Sequence, residues 1–112
     1  MINFKERKAT KYVVVLITNT NCRTFEDFYR KKRREGELDT GCHYFVDTYG
    51  EISKDRKLDC VAGWEYKDNA ESIYIVAQSE TGKLNSCQQN VLPPLKEMLL
   101  AIYPEAIYVE RT

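Results

Sequence analysis

The stretch that decides the fold reads Gly41-Cys42-His43-Tyr44, and it holds the only histidine of this 112-residue chain. A catalytic zinc ion needs three protein ligands and one open position, so a single histidine cannot build such a site alone. Adjacent residues of a strand point to opposite faces, which argues against Cys42 and His43 acting together as nucleophile and base. We therefore expect His43 to be a buried, hydrogen-bonded histidine and Cys42 to be a thiol that takes no part in catalysis.

Length and charge describe one small domain spanning residues 1–112. A hydrophobic content of 43% is enough for a single core with two layers of secondary structure. The 17 basic and 17 acidic residues cancel, so no overall field attracts nucleic acid or an anionic membrane. We expect neither as a partner.

The expected location is the cytoplasm, because the apolar run of residues 12–17 is too short for a secretory signal or a membrane span. No C-x-x-C pair occurs, which disfavours a zinc ribbon. Without a signal peptide the thiols are expected to be reduced. The four cysteines are Cys22, Cys42, Cys60 and Cys87.

Apolar periodicity predicts alternating strands and helices. A β-branched run at 12–17 predicts a strand buried on both faces, and Thr24 and Gly36 bound a predicted helix over 24–35. Residues 42–52 predict a hairpin, residues 72–77 a strand, and residues 54–69 a long ordered loop. Together these elements predict an α/β fold with helices packed against a sheet.

The last predicted helix runs from Asn85 to Tyr103, with a stripe made of Leu92, Leu95, Leu99 and Ile102. Pro93 and Pro94 fall inside it, so the pattern predicts a kink there or a helix that begins at Pro93. Residues 106–109 are expected to form a final edge strand.

The order of several short motifs indicates a known family. They are Leu38 to Phe45, then Gly50-Glu51-Ile52, then Asn69 with Ser72-Ile73, and finally Leu99 to Tyr103. In this order they resemble the zinc-dependent N-acetylmuramoyl-L-alanine amidases, a family that includes T7-type phage lysozymes and peptidoglycan recognition proteins. The resemblance implies a central mixed β-sheet flanked by helices in a single small domain.

The resemblance also implies that the zinc ligands are missing. The first zinc histidine would fall at Ile17, beside Thr18, the second at Glu110, and the third ligand beyond Thr112. A tyrosine that assists catalysis corresponds to Cys42, and a loop histidine corresponds to Trp64. Amide hydrolysis of the zinc type then has no source of nucleophile at neutral pH, so we expect no amidase activity and no cofactor.

A cleft without zinc can still bind. Aromatic walls suit sugars, nucleobases and protein side chains equally well, and Tyr74 adds bulk where the family has glycine. Two states of the cleft are compatible with the sequence: it is open, or it is filled by Ile17, Trp64 and Tyr74. The expected ligand-binding residues are Thr18, Asn19, Cys42, Tyr44, Trp64, Tyr66, Asn69, Tyr74 and Glu110.

Two further groups of residues could bind a ligand, but each also has an interpretation that involves no ligand. The basic run over 30–34 offers Arg30, Arg33 and Arg34 to a phosphate, but a solvated helix face neutralised by nearby acids is the favoured interpretation. Cys22, Cys42 and Glu110 could hold a soft metal, yet nothing in their spacing indicates it.

Two functions follow as hypotheses. In the first, the chain is a non-catalytic protein that captures a small molecule, either a muropeptide or a nucleotide messenger of host defence sequestered by a phage protein. In the second, it is a regulator or inhibitor that binds a host or phage protein, since T7-type lysozymes also inhibit a phage RNA polymerase through a surface outside the zinc site. A homo-oligomer is compatible with either.

Overall fold

The computed structural model of the chain describes residues 4–112, which form a sheet of five strands with one helix on each face. A short 3-10 turn, Asn69–Glu71, precedes the fourth strand. In chain order the other elements are β1 Tyr12–Thr18, α1 Phe25–Arg34, β2 Tyr44–Val46, β3 Ile52–Lys54, β4 Ser72–Gln78, α2 Ser86–Ile102 and β5 Ile107–Arg111. Among the described residues, no helix combines the length and the apolar content that crossing a bilayer requires.

The strand order is β3-β2-β4-β1-β5, so the sheet is mixed as expected. β1 lies between β4 and β5 and runs parallel to both, with Val13 opposite Ile73 on one side and Tyr108 on the other. β2 is parallel to β4, and only the edge strand β3 is antiparallel to its neighbour. The predicted hairpin and the predicted final edge strand are thereby confirmed.

Two apolar layers lie on the two faces of the sheet, because side chains alternate along each strand. On one face Val13, Val15 and Ile17 of β1 pack with Leu92 and Leu95 of α2. We call this the α2 face.

The opposite face carries Val14 of β1 and Tyr74 and Val76 of β4, which pack with Phe28 of α1. We call this the α1 face. Every residue of β4 is buried, as its position between β2 and β1 requires.

Helix α1 follows its sequence signals closely. The Thr24 hydroxyl accepts the Asp27 backbone N–H at 3.2 Å, and Gly36 ends the segment with φ +91°. Phe28 is buried with its ring centroid 5.2 Å from that of Phe45. The helix is therefore fixed to the sheet over β2.

Helix α2 begins at Ser86, so the predicted start at Pro93 is wrong. Asn85 and Gln88 form a capping box, with each side chain bonded to the backbone N–H of the other. Pro93 and Pro94 leave the carbonyls of residues 89 and 90 without helical donors. All four of these residues are exposed, so water can satisfy those carbonyls, and the helix continues without a break.

The buried stripe of α2 is shorter than predicted. Leu92, Leu95 and Leu99 are buried against the sheet, but Ile102 is 51% exposed. Leu99 and Tyr103, on either side of it in the sequence, still pack against this apolar layer.

The segment between β3 and β4 is an ordered loop, as predicted. The Asn69 amide donates to the carbonyls of Ala62 and Gly63, both at 3.2 Å. Arg7 donates to the carbonyl of Leu58 at 2.6 Å and to that of Cys60 at 3.0 Å. These bonds hold the loop between the N-terminal segment and the sheet.

Candidate ligand-binding site

His43 joins three parts of the fold. Its Nδ1 accepts the backbone N–H of Tyr74 at 3.0 Å, and its Nε2 lies 2.7 Å from the Cys60 carbonyl. This network assigns the hydrogen to Nε2 and makes it the donor to that carbonyl. The ring is fully buried, and burial lowers the pKa of His43 to about 4. The expectation of a satisfied core histidine is confirmed.

Cys42 is equally enclosed. Its side chain has no solvent exposure, and its Sγ lies 3.1 Å from the Thr40 hydroxyl oxygen. Burial raises the pKa of the Cys42 thiol to about 12. Because the thiolate is the reactive form, Cys42 is a poor nucleophile and a poor metal ligand at neutral pH.

Two tyrosine rings fill the space next to Cys42 on the α1 face. Tyr66 and Tyr74 stack with their centroids 4.8 Å apart, and the Tyr66 hydroxyl donates to the Thr40 carbonyl at 2.8 Å. Gly41 makes room for them, since a Cβ there would lie only 3.0 Å from Tyr66 Cε2. Both rings are buried, so this part of the face is core rather than open cleft.

A cation lies beside the tyrosine pair. Arg111 Nη1 donates to the Tyr74 hydroxyl at 3.0 Å, and its Nη2 is 3.6 Å from Asp68 Oδ2. Its guanidinium carbon is 5.9 Å from the centroid of the Tyr12 ring. We call these four residues, Tyr12, Asp68, Tyr74 and Arg111, the Arg111 cluster.

The Arg111 cluster presents a positioned charge to solvent. The Tyr74 hydroxyl donates in turn to the Lys67 carbonyl, which orients its lone pairs toward Arg111. The Arg111 side chain keeps 29% of its surface exposed. A guanidinium has five N–H donors, and the partners described here leave several of them free to meet a ligand.

The structure divides the predicted site residues between the two faces of the sheet. Cys42, Tyr66 and Tyr74 lie on the α1 face. Tyr44 packs on the α2 face, and Glu110 lines a hollow of about 520 Å³ together with Ile17. The structure therefore does not bring this set into one site.

The structure places Ile17 and Glu110, the positions inferred for the two zinc histidines, on the α2 side of the sheet. Ile17 and Glu110 do not share a face with Cys42, whereas their neighbours Leu16 and Arg111 do, since side chains alternate along β1 and β5. Leu16 and Arg111 are also directly paired between the two strands. On the Cys42 side these two strands thus present an apolar residue and an arginine.

The remaining predicted residues lie at the margins. Trp64 is 79% exposed. The Asn69 amide is committed to the loop carbonyls described above. Asn19 Oδ1 accepts from the Asn21 backbone N–H and from Gln78, both at 2.9 Å, directly after the half-buried Thr18. Of the predicted set, Trp64 offers the largest free surface.

The basic run on α1 is mostly paired within the chain. Arg30 lies 4.0 Å from Glu26, and Arg33 donates to the Leu38 carbonyl at 3.1 Å. Lys31 donates to the Thr20 carbonyl at 2.9 Å, while Arg34 is exposed. This arrangement is that of a solvated helix face with local partners.

Comparison with solved structures identifies the fold. The N-acetylmuramoyl-L-alanine amidase LysC from Clostridium intestinale URNW superposes with a TM-score of 0.74 at 18% identity, covering 98% of this chain and 78% of that one. The endolysin of Thermus scotoductus MAT2119 bacteriophage Ph2119 gives 0.76 at 22% identity, with 96% and 75% covered. Drosophila PGRP-LB gives 0.78 at 14% identity, with 96% and 73% covered.

The chain therefore has the fold of the amidases and peptidoglycan recognition proteins, over nearly its whole length. No model of a known protein family matches the sequence, and no curated protein matches it either.

The zinc ion that this fold implies does not fit the residues present. Across residues 4–112, no three histidine, cysteine, aspartate or glutamate side chains come together as a metal site. On the Cys42 side of the sheet, Leu16 offers no donor atom and Arg111 carries a charge that repels a metal cation. The conceivable soft-metal set of Cys22, Cys42 and Glu110 is also divided between the two faces.

Sequence reasoning missed four residues of this region, namely Tyr12, Leu16, Asp68 and Arg111. A signal for Arg111 was available, because alternation in β5 places it on the same face as Val109. Asp68 offered no comparable signal, since it lies in an irregular loop with φ +57°.

Proposed function

We propose that this chain is a non-catalytic binding protein that holds an anionic ligand on its α1 face, with Arg111 as the anchor. The observation that carries this proposal is the position of the Arg111 guanidinium. Tyr74 and Asp68 fix it while part of it still faces solvent. Guanidinium groups bind carboxylates and phosphates through paired, charge-assisted hydrogen bonds.

The absence of catalysis is proposed from the side chains present. The Cys42 thiol is buried and has its pKa raised to about 12. Both ring nitrogens of His43 are occupied by backbone groups. Cys42 is therefore not available as a nucleophile, and His43 is not available as a general base.

The ligand is proposed to lie across the surface rather than within the sheet. The Tyr66 and Tyr74 rings already occupy the interior. Around them Tyr12, Leu16 and Val109 are half-buried on the same face and offer apolar contact. A ligand with one anionic group and one flat or apolar part suits this surface best.

Two ligand classes meet that description. Muropeptides carry carboxylates, and one of the structures with this fold is a Drosophila PGRP-LB variant in complex with tracheal cytotoxin. Nucleotides carry phosphates, and the exposed indole of Trp64 could stack on a base. Sequestration of a nucleotide defence signal by a phage protein is the second form of the proposal.

Isothermal titration with a muropeptide and with a panel of cyclic nucleotides tests the proposal and separates its two forms. Arg111→Gln removes the charge and should weaken binding by roughly 10- to 100-fold, the range for one charge-assisted contact. Lys54→Gln removes an exposed charge from β3, at the far edge of the sheet, and should leave affinity unchanged.

Three results would count against this function. The first is hydrolysis of peptidoglycan with turnover by the purified protein. The second is no binding of any compound in either class. The third is a loss of affinity in Arg34→Gln but not in Arg111→Gln, which would place the site on α1. Unfolding of each variant in urea shows whether it keeps its fold.

A second function, protein binding, is supported by the filled interior. A surface whose hollow is closed by two tyrosines and which exposes Trp64 suits protein side chains, and Trp and Arg are enriched at interface hot spots. A pull-down that returns a stoichiometric host or phage protein, lost in Trp64→Ala, would favour it. Mass spectrometry of the protein purified from cells would favour a small ligand instead if it showed a tightly held added mass.

A further inference from the structure

β5 forms one edge of the sheet. It is five residues long and, among residues 4–112, pairs with β1 alone. Natural edge strands are commonly protected by proline, by a bulge, by very short length or by charged side chains. The two charged residues of β5, Glu110 and Arg111, are each bonded to partners within the chain. β3 at the other edge has only three residues, whereas β5 has no proline, and its first residue, Ile107, is 59% exposed.

The outward backbone groups of β5 belong to two residues. The Ile107 N–H donates to the Lys11 carbonyl at 2.8 Å, so Ile107 faces β1. In a parallel ladder every second residue faces the same neighbour, so Val109 and Arg111 also face β1. Tyr108 and Glu110 therefore present their N–H and C=O groups to the unpaired side.

We propose that two copies of this chain associate by antiparallel pairing of their β5 strands, with Val109 of each copy at the two-fold axis. In this register Tyr108 of one copy lies opposite Glu110 of the other. Each such pair exchanges two backbone hydrogen bonds, so all outward groups of both residues are satisfied. The two five-stranded sheets become one continuous sheet.

The side chains on the α2 face fit this register. Within one copy the Tyr108 hydroxyl already donates to Glu110 Oε2 at 3.0 Å, and Lys96 Nζ lies 4.3 Å from the centroid of the Tyr108 ring. Pairing brings Glu110 of the second copy to the same phenol and the same ammonium. The contact is therefore complementary in charge as well as in hydrogen bonding.

On the α1 face the same register places Ile107 opposite Arg111 of the second copy and Val109 opposite its own equivalent. Neither contact sets like charges against each other. The apolar surface of Ile107, exposed in one copy, is then covered by the aliphatic part of the arginine side chain.

Alternative registers fit less well. A two-fold axis at Glu110 would place two carboxylates directly opposite each other, which is destabilising. An axis at Tyr108 would set Glu110 against Ala106, whose N–H is already bonded to the Tyr103 carbonyl at 3.0 Å. The register centred on Val109 alone pairs every outward group without a repulsive contact.

A two-fold axis perpendicular to the sheet keeps the α1 faces of both copies on the same side. The two Arg111 clusters would then share one surface. Self-association does not depend on the proposed function, since it rests on the edge strand β5 and its side chains and requires no ligand.

Sedimentation equilibrium of the full chain, up to about 1 mM where weak association is measurable, tests the pairing. Ile107→Lys sets a like charge against Arg111 of the second copy, and Ile107→Glu sets an opposite one. The dimer dissociation constant should rise in the first variant and fall in the second, each by roughly 2- to 30-fold, because the contact occurs twice. Glu110→Pro removes one outward donor and should weaken the dimer further.

Ile102→Lys and Ile102→Glu are matched controls, because Ile102 is similarly exposed but lies on α2. Both should leave the dissociation constant unchanged. A chain that stays monomeric at every concentration overturns the proposal. So does a dimer with the same dissociation constant in both Ile107 variants, or one that responds to Ile102 instead.

Discussion

The imidazole Nδ1 of His43 accepts the backbone N–H of Tyr74 at 3.0 Å, in place of a carbonyl from a neighbouring strand. This contact uses a lone pair that exists only in the neutral ring. The same ring holds the loop through the Cys60 carbonyl at 2.7 Å. Protonating His43 therefore breaks a link between β4 and the segment that leads into β2.

Acid should destabilise the fold through this ring. The pKa of His43 is about 4 in the folded chain, below its ordinary value of 6.5. The unfolded chain therefore binds one more proton between these values, and this contribution to stability is present above pH 6.5 and lost as the pH falls through 4. The free energy of unfolding should drop by about 3 kcal/mol over that window.

Because the chain has one histidine, its imidazole resonances can be followed by NMR without ambiguity. The resonance should stay at its neutral position down to about pH 5, well below the ordinary titration range of histidine. The pKa of the Asp55 carboxyl is raised by burial, so protonation of Asp55 favours the folded state, whereas protonation of His43 disfavours it. The free energy of unfolding and the NMR titration of His43 should therefore be measured at the same pH values. A midpoint near the ordinary value would mean that the ring is accessible to water.

The four thiols should differ sharply in reactivity. Cys87 is exposed, while Cys22, Cys42 and Cys60 are buried. In the folded protein iodoacetamide should modify Cys87 first, and Cys42 only after unfolding, because its pKa is raised to about 12. Peptide mapping at successive times gives the order. The Cys87→Ser variant should stay almost unlabelled in native buffer, and labelling of Cys42 at the rate of Cys87 would contradict its burial.

Two glycines provide a matched test of the tyrosine packing. Gly41 and Gly82 have similar φ values, +78° and +81°, so alanine costs each a comparable backbone strain of about 1–3 kcal/mol. At Gly41 the new Cβ would also lie 3.0 Å from Tyr66 Cε2 and 3.1 Å from the backbone of Gly63, whereas Gly82 has nothing within 4 Å.

Gly41→Ala should therefore lower the free energy of unfolding by about 1–3 kcal/mol more than Gly82→Ala, the usual cost of overpacking. Urea titrations of the two variants measure the difference. Equal losses would show that Tyr66 does not pack against Gly41.

Replacing Pro94 should stabilise α2. Pro94→Ala returns a donor to the residue 90 carbonyl and removes the restriction that Pro94 places on Pro93. The free energy of unfolding should rise by about 1–3 kcal/mol, since proline costs about 3 kcal/mol relative to alanine in a helix interior. Pro104→Ala, just beyond the helix, serves as the control and should change stability little. A loss of stability in Pro94→Ala would mean that the prolines make contacts worth more than the missing hydrogen bond.

Much of the fold could be predicted from local signals. These signals are the apolar run of β1, the Thr24 cap, and Gly36 and Gly50 at turns. Each acts within a few residues, so a short stretch of sequence is enough to predict the structure that it forms. The start of α2 was harder to predict from the sequence. A proline pair usually ends a helix, and it is tolerated here because the carbonyls that it leaves unpaired are on the exposed side.

The site could be predicted only in part. A shift of one position along a strand moves a side chain to the other face of the sheet. Ile17 and Glu110, expected near Cys42, therefore lie on the opposite face, and their neighbours Leu16 and Arg111 lie on the Cys42 face. In the irregular loop no periodicity separates Tyr66, which is buried, from Trp64, which is exposed. Which aromatic ring packs and which one faces solvent is decided by tertiary contacts that a linear pattern does not contain.

The charge at the Arg111 cluster is tethered to the backbone by covalent bonds. A cleft that relies on a bound ion loses its positive centre whenever EDTA or a competing protein removes that ion. Here the positive charge is the Arg111 guanidinium, which folding alone brings into position. The proposed binding of an anionic ligand to this surface should therefore be unchanged where free metal ions are scarce. A zinc enzyme with the same fold loses its activity under those conditions.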